Sequence, residues 1–269
     1  MTDLHSTDAE SAPRLGELRR LIVSASARAN EGHIPSALSI LEILFAEYFV
    51  VMPLQRAAGH PVDRFILSKG HASLGLYVVL AASGHFPADW LDSFGAFDSP
   101  LGGHPDSLKV PGVEASTGSL GHGLPFAVGL ALGNRALMAE EARPRIVVLV
   151  GDGESNEGAI WEAAQLASHH ALHELICLVD HNHSTDRALA VDPLDERFAA
   201  FGWSVHVVAD GHDVEDLSEA LQRRTEGKPT ALIVGTTKGK GVPTMENNPS
   251  WHHASPRADE LEALLGSIT

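Results

Sequence analysis

The sequence predicts an α/β domain: a three-layer, doubly wound, mainly parallel sheet with helices on both faces. Two observations carry this. Ile146 to Val150 and Leu175 to Val179 are short aliphatic runs, too uniformly apolar for half-exposed strands and of the length expected for strands buried on both faces. Between them Ile160, Ala163, Ala164 and Ala167 fall at helical spacing, which gives strand, helix, strand. Further along, Ser204 to Val208 and Thr230 to Val234 read as two more strands, with a helix from about Val214 to Arg224 between them.

The remaining elements fit around this frame. Residues 1 to 13 are acidic and polar and read as a disordered tail, leaving 14–269 as one domain. An amphipathic helix from about Leu15 to Asn30 carries Leu18, Leu21, Ile22 and Ala25 on one face and stops at Gly32-His33. A second runs from about Ser36 to Phe49 through Leu38, Ile40, Leu41 and Leu44. Arg64 to Leu67 is a short strand leading into Ser68-Lys69-Gly70-His71-Ala72, which opens the next helix. Leu101 to Leu124 is rich in Gly and Pro and too irregular for a strand. A long helix follows, beginning near Leu120 and reaching about Ala139. The chain closes with a short helix from about Ala258 to Leu265.

Composition narrows the function. A formal charge of −16 and the lack of any Lys/Arg cluster exclude a nucleic-acid backbone as partner. No apolar run approaches the length of a membrane span, and the N-terminus lacks the basic and apolar segments of a secretory signal, so a cytoplasmic location is expected. The single cysteine, Cys177, lies inside a predicted strand and is expected to be a buried thiol. Several of the sixteen histidines, in contrast, sit beside Gly in loops.

The polar residues at the strand ends suggest a site. Parallel sheets place ligands beyond the carboxyl ends of their strands, so Asp152, in Gly151-Asp152-Gly153, and Asn182, in Asp180-His181-Asn182, would enter one crevice. A carboxylate and an amide oxygen suit Mg²⁺ or Ca²⁺, and Mg²⁺ completes its octahedron with phosphate oxygens and water. Gly151 and Gly153 allow the backbone close to a bulky anion, and the following helix N-terminus offers N–H groups to it. A bare Gly-Asp-Gly is also an ordinary strand-to-helix turn.

Gly151-Asp152-Gly153, followed by Asn182 at the end of the next strand, resembles the thiamine diphosphate and magnesium motif. GDGESNEG is similar in particular to the transketolase family. Further along the chain GHIPSALSILEIL, RFILSKGHAS, and GGHP paired with STGSLGHG resemble the same family. The resemblance implies that His33 points toward the cofactor, that His71 contacts the diphosphate, and that His104 faces the sugar donor while Gly118, Ser119 and Leu120 line the cofactor. TTKGKGVPTMENNPSWHHASP resembles the stretch that ends in a site histidine; His253 fits best, with His252 the alternative. The backbone carbonyl of Ser184 is a third candidate metal ligand beside Asp152 and Asn182. Glu157 matches a glutamate at the family's subunit interface, and helix capping is an equally good reading of it.

The resemblance covers the diphosphate-binding first domain over nearly the whole chain. It therefore implies a transferase moving a two-carbon ketol unit from a ketose to an aldehyde. In the family, the glutamate that activates the cofactor comes from a second, pyrimidine-binding domain on another subunit. The expectation is an N-terminal subunit working with a separate C-terminal transketolase subunit, as a heterotetramer with two copies of each chain. Two other readings stand beside it: an E1-like subunit acting on a 2-oxo acid or in secondary metabolism, and a scaffold that keeps the fold without the chemistry. After Asn182 the chain departs from the family pattern, with His183-Ser184-Thr185-Asp186-Arg187 and a shortened link to Phe201-Gly202-Trp203.

Overall fold

In the parallel sheet at the centre of the protein, successive residues of each strand feed two different cores. The computed structural model describes residues 12–252 and 254–268, so most of the expected tail and His253 lie outside the described residues. In chain order the elements are α1 (Leu15–Ala29), α2 (Ile34–Ser39), α3 (Leu41–Phe45), a π-helical turn (Ala46–Val51), α4 (Met52–Ala57), β1 (Arg64–Leu67) and α5 (Ser73–Ala82). They continue with α6 (Gly123–Leu137), β2 (Ile146–Gly151), α7 (Gly158–His169), β3 (Leu175–His181) and α8 (Leu194–Ala200). The last are β4 (Ser204–Val208), α9 (Val214–Gln222), β5 (Thr230–Gly235) and α10 (Ala258–Ser267).

The sheet order is β1-β2-β3-β5-β4, and every pairing is parallel. Strand periodicity of two sends Val147, Leu149, Ile176, Leu178, Leu232 and Val234 into a core with α1 to α5, α9 and α10. The alternate residues, Ile146, Val148, Val150, Cys177, Val179 and Ile233, pack against α6, α7 and α8 on the other face. This is the three-layer arrangement expected from the apolar runs. Cys177 is fully buried there, and burial pushes its thiol well above the usual range, as expected for an inert structural cysteine.

The elements differ from expectation in three places. The second helix starts at Ile34, with Pro35 in its first turn, and breaks at Ile40, where φ −108° and ψ 4° leave the helical region. It then continues through the π turn to Ala57, beyond the expected end at Phe49. The long helix begins at Gly123 instead of Leu120, because Gly121, at φ +81°, still belongs to the loop. Helix α8 was not expected at all: only Leu194 and Phe198 are buried along it, too few anchors for a readable period.

Chain connectivity creates the crevice. β1 is followed by α5 on one face and β2 by α7 on the other, so the carboxyl ends of these neighbouring strands diverge. At the opposite end of the sheet, Arg145 is buried against Asp63, with Nε–Oδ1 at 2.8 Å and a second guanidinium–carboxylate bond. Nearby, both carboxyl oxygens of Glu47 are buried with no hydrogen-bond partner among the described residues. Burial, and then the adjacent Asp63 carboxylate, push the Glu47 pKa well above the usual carboxylate range despite Arg145.

A raised folded-state pKa means that the folded protein holds this proton when the unfolded chain has released it. The contribution is present below the unfolded value and is lost as pH rises through the folded one. Glu47→Gln is expected to raise the urea midpoint more at pH 8 than at pH 5. An equal change at both pH values would show that Glu47 ionises normally.

Candidate functional site

The loops at the carboxyl ends of β1, β2 and β3 enclose a cleft of about 430 Å³. Lining it are His33, Lys69, His71, His104, Gly118 and Leu120 from one side, with Gly151 to Glu154, Asn182, Ser184, Thr185 and Ala188 from the other. Lys238 and His252 close it. A larger groove of about 850 Å³ at the amino ends of the strands is lined by Leu54, Gln55, Glu141, Arg143, Arg145 and Arg224 among others, and none of the expected site residues lines it.

The histidines are held by local structure. His33 immediately precedes α2, and His71 lies in the 3-10 turn Gly70–Ala72 that leads into α5. Their rings are 5.3 Å apart between centroids, and the His252 ring is 5.9 Å from that of His33. Burial above all, and then the charges of Lys69, His33, Lys238 and His252, lower the His71 pKa to about 2. His104 is brought in by the Gly-rich loop, where Thr117 donates to the Leu67 carbonyl at 2.6 Å. A Cβ on Gly118, at φ +144°, would stand 2.9 Å from the His104 ring, and one on Gly70 would stand 2.8 Å from the Gly118 nitrogen. Only glycine lets these segments approach so closely.

Two buried carboxylates that the sequence does not single out organise the floor. Glu154 accepts from Gly121 N at 2.8 Å, Gly151 N at 3.1 Å and the Ser68 hydroxyl. Burial raises its pKa, against those hydrogen bonds. Asp180, fully buried, accepts from Ser39 Oγ at 2.7 Å, Asn182 Nδ2 at 2.8 Å, Thr236 Oγ1 and the Lys69 ammonium. Burial alone would raise its pKa, but Lys69 and the hydroxyl donors outweigh it and hold the group ionised.

The geometry accommodates a bound cation. Asp152 Oδ1 accepts from Gly153 N at 2.6 Å, while Oδ2 is buried with no hydrogen-bond partner among the described residues. An orphaned carboxylate oxygen facing a polar cleft fits a metal ligand. Asn182 is anchored through Nδ2, and its Oδ1 accepts from Ser184 N at 3.1 Å. The donors are all oxygens, as Mg²⁺ or Ca²⁺ requires. Opposite them stand Lys238 and the imidazoles. Burial, and then Lys69, lower the Lys238 pKa to about 8, and its Nζ is 3.1 Å from His252 Nδ1. A chain of charge −16 thus gathers basic groups in one cleft, which suits a polyanion.

The expected site residues divide accordingly. His33, His71, His104, Gly118, Leu120, Gly151, Asp152, Gly153, Asn182 and Ser184 line the cleft; exposed Ser119 does not. Glu157 is also exposed and outside it, packed over Gly121, and precedes α7 without a side-chain capping bond. The turn after Asp152 is a 3-10 turn, Gly153–Asn156, with α7 starting only at Gly158. The cleft therefore meets the N–H groups of that turn instead of a helix end. Lys69, Glu154, Asp180 and Lys238 were missed. Their only signal in sequence was a lone charge at the end of an apolar run.

Comparison with known proteins agrees with this geometry. Residues 12–267 match the family described as transketolase, thiamine diphosphate binding domain. The chain is 42% identical, over 93% of both chains, to an apulose-4-phosphate transketolase subunit of Actinobacillus succinogenes. It is 36% identical to a 6-deoxy-6-sulfo-D-fructose transketolase subunit of a Clostridium strain, again over 93% of each. Among solved structures, transketolase from Leishmania mexicana superposes with a TM-score of 0.82 at 28% identity, over 94% of this chain and 41% of that one. The chain thus spans nearly all of these two relatives and about two fifths of that longer transketolase.

His71, with its depressed pKa, should stay neutral in the ligand-free chain. A folded pKa far below the unfolded value near 6.5 means that acid favours the unfolded state, so stability falls as pH drops below about 6.5. Imidazole resonances followed from pH 8 to pH 5 should show no titration of His71, and His71→Gln should lose stability less steeply over that range. An ordinary midpoint for His71 would contradict its buried, cation-flanked setting.

Proposed function

The chain belongs to the transketolase family of thiamine diphosphate binding domains, and from that premise we propose that it is the diphosphate-holding subunit of a two-chain transketolase. The observation that carries the reading is the single cleft in which the orphaned Asp152 Oδ2 and Asn182 face His33, His71, His104 and Lys238. Asp152, Asn182 and the Ser184 carbonyl would hold Mg²⁺ or Ca²⁺, whose charge would offset that of the diphosphate. His71, Gly118, Leu120, Gly151 and Gly153 would surround that cofactor, with Lys238 completing the charge balance, while Ser119 stays outside the cleft. Neutral His71 can donate one hydrogen bond to a phosphate oxygen without carrying a charge into the buried floor.

Thiamine diphosphate, when bound, supplies the nucleophilic carbon for two-carbon transfer. The protein's own residues do the rest. Cleaving the C2–C3 bond of a ketose requires a proton to leave the C3 hydroxyl, and an imidazole within hydrogen-bond reach suits that work as a general base. His33, His104 and either His252 or His253 are the groups proposed to hold the donor's hydroxyls and take that proton. Glu157 would act only across a subunit boundary, because its side chain faces outward.

The relatives support partner dependence: those of matching length are named as subunits, whereas the longer transketolase matches this chain over only part of its length. We propose a C-terminal, pyrimidine-binding partner chain and a heterotetramer with two copies of each. Exposed apolar side chains on α6 and α7 support an assembly face, with Phe126 50%, Leu166 47% and Leu137 86% exposed.

Two measurements on the complex with its partner test this reading. His104→Ala should slow single-turnover donor cleavage by on the order of 10²-fold while cofactor affinity is nearly unchanged, a magnitude usual for lost general acid–base help. Parental cleavage by the variant, or loss of cofactor instead, would remove His104 from the donor site. Calorimetry with Mg²⁺ and thiamine diphosphate should show no retained cofactor in Asp152→Ala. Unchanged affinity would place the metal elsewhere.

A further inference from the structure

The segment after β3, where the sequence departs from its family, holds a second cluster of ligand-type side chains that the cleft does not use. One ring nitrogen each of His181 and His183 and a carboxylate oxygen of Asp192 all lie within 4.8 Å of one another. The two imidazole rings are 4.1 Å apart between centroids. His181 ends β3, and Asp192 stands just before α8, so the cluster joins the two ends of the connecting loop. We infer that His181, His183 and Asp192 form a binding site for a first-row transition-metal ion such as Zn²⁺, separate from the oxygen-ligand site of the cleft.

The separations fit. His181 Nε2 is 3.2 Å from Asp192 Oδ1, and His183 Nδ1 is 3.9 Å from Asp192 Oδ2. Ligands about 2.0–2.2 Å from a tetrahedral zinc lie roughly 3.3–3.6 Å from each other, so small side-chain rotations complete the set. A second observation is independent of these distances. His181 Nε2 is buried and makes no hydrogen bond among the described residues, although the Asp192 carboxylate is close by. The two atoms are near but not aligned as donor and acceptor, and a cation between them satisfies both lone pairs. Asp186 Oδ2, hydrogen-bonded to His183 Nδ1 at 3.0 Å, is a candidate for a fourth position, and His183 is more than half exposed, which leaves an entry path.

Ligand chemistry separates this site from the first. Two imidazoles with a carboxylate favour Zn²⁺, Ni²⁺ or Cu²⁺, whereas Mg²⁺ and Ca²⁺ prefer oxygen alone. Asn182 lies between the two histidines in sequence and lines the cleft itself. An ion bound here would clip the loop from 181 to 192, whose Ser184, Thr185 and Ala188 form one wall of the cleft. Such a cross-link favours the ordered wall by restricting the loop's freedom.

The test uses the full chain after chelator treatment, titrated with Zn²⁺ by calorimetry in excess Mg²⁺. One zinc per chain is expected, with micromolar or tighter affinity, and Co²⁺ in its place should give the visible spectrum of an imidazole-ligated ion. His183→Ala and Asp192→Ala should each weaken zinc binding at least about 10-fold, while Asp152→Ala should leave it unchanged. Binding that survives His183→Ala overturns the inference, as does binding lost in Asp152→Ala. Stoichiometric zinc absent from the parent chain overturns it as well. If Asp192→Ala fails to fold, the exposed His183 provides the deciding variant. None of these outcomes depends on ketol transfer, so the result stands apart from the proposed activity.

Discussion

The buried carboxylate of Asp180 is the constraint on which the working end of this fold depends. A charge at the end of a central strand, out of contact with solvent, persists only if cations and donors surround it. Here they come from four separate segments: Ser39 in α2, Lys69 after β1, Asn182 after β3 and Thr236 after β5. Lys69 reaches Asp180 by passing beside Gly151, where a Cβ would stand 3.8 Å from its Cδ. Ordering the ion pair therefore also orders the loops that carry the cleft. Removing either partner would leave an uncompensated buried charge, a loss of about 3–5 kcal/mol. A hydrophobic pair could hold the strands together equally well, but it could not orient the Asn182 amide.

Glu154 performs the same task for the glycine-rich wall. Its two oxygens bind Gly121, Gly151 and Ser68, so one carboxylate fixes the turn after β2, the loop before α6 and the segment after β1. Gly123 N adds a bond to Ser68 Oγ at 3.1 Å. Once Asp180 and Glu154 are committed to these internal bonds, Asp152 keeps a buried oxygen with no hydrogen-bond partner among the described residues. Division of labour among three acids explains how an acidic chain can present a cleft dominated by Lys238 and imidazoles. Two carboxylates are committed to internal bonds, and the third is the one proposed to hold a cation.

Much of this architecture was legible in the sequence, for physical reasons that also mark where legibility stopped. Strands buried on both faces must be uniformly apolar, so Ile146 to Val150 and Leu175 to Val179 declared themselves, and their polar ends identified Asp152 and Asn182. His33, His71 and His104 were readable because each adjoins a glycine at a chain reversal. Lys69, Glu154 and Asp180 were not, because an isolated charge has no period and its partner lies far away in sequence. Helix α8 was missed because its two buried residues make no stripe. The break at Ile40 was not legible because the helical apolar spacing runs through it with no Gly or Pro at the break.

The same packing links the outer surface to the cleft. Gly121 holds φ +81° and donates to Glu154, and a Cβ there would stand 2.7 Å from the Glu157 Cβ. Glu157, facing outward at the start of α7, is thus separated from Leu120 on the cleft wall by a single glycine whose position is fixed on both sides. Any protein surface docked against Glu157 and the exposed Phe126 would press on that glycine. Because closely packed interiors transmit displacement instead of absorbing it, the loop carrying Gly118 and His104 could not stay still if Gly121 moved. In the proposed assembly, a partner seated on Glu157 and Phe126 would therefore bear on the cleft through Gly121, which would give the outward glutamate a mechanical role.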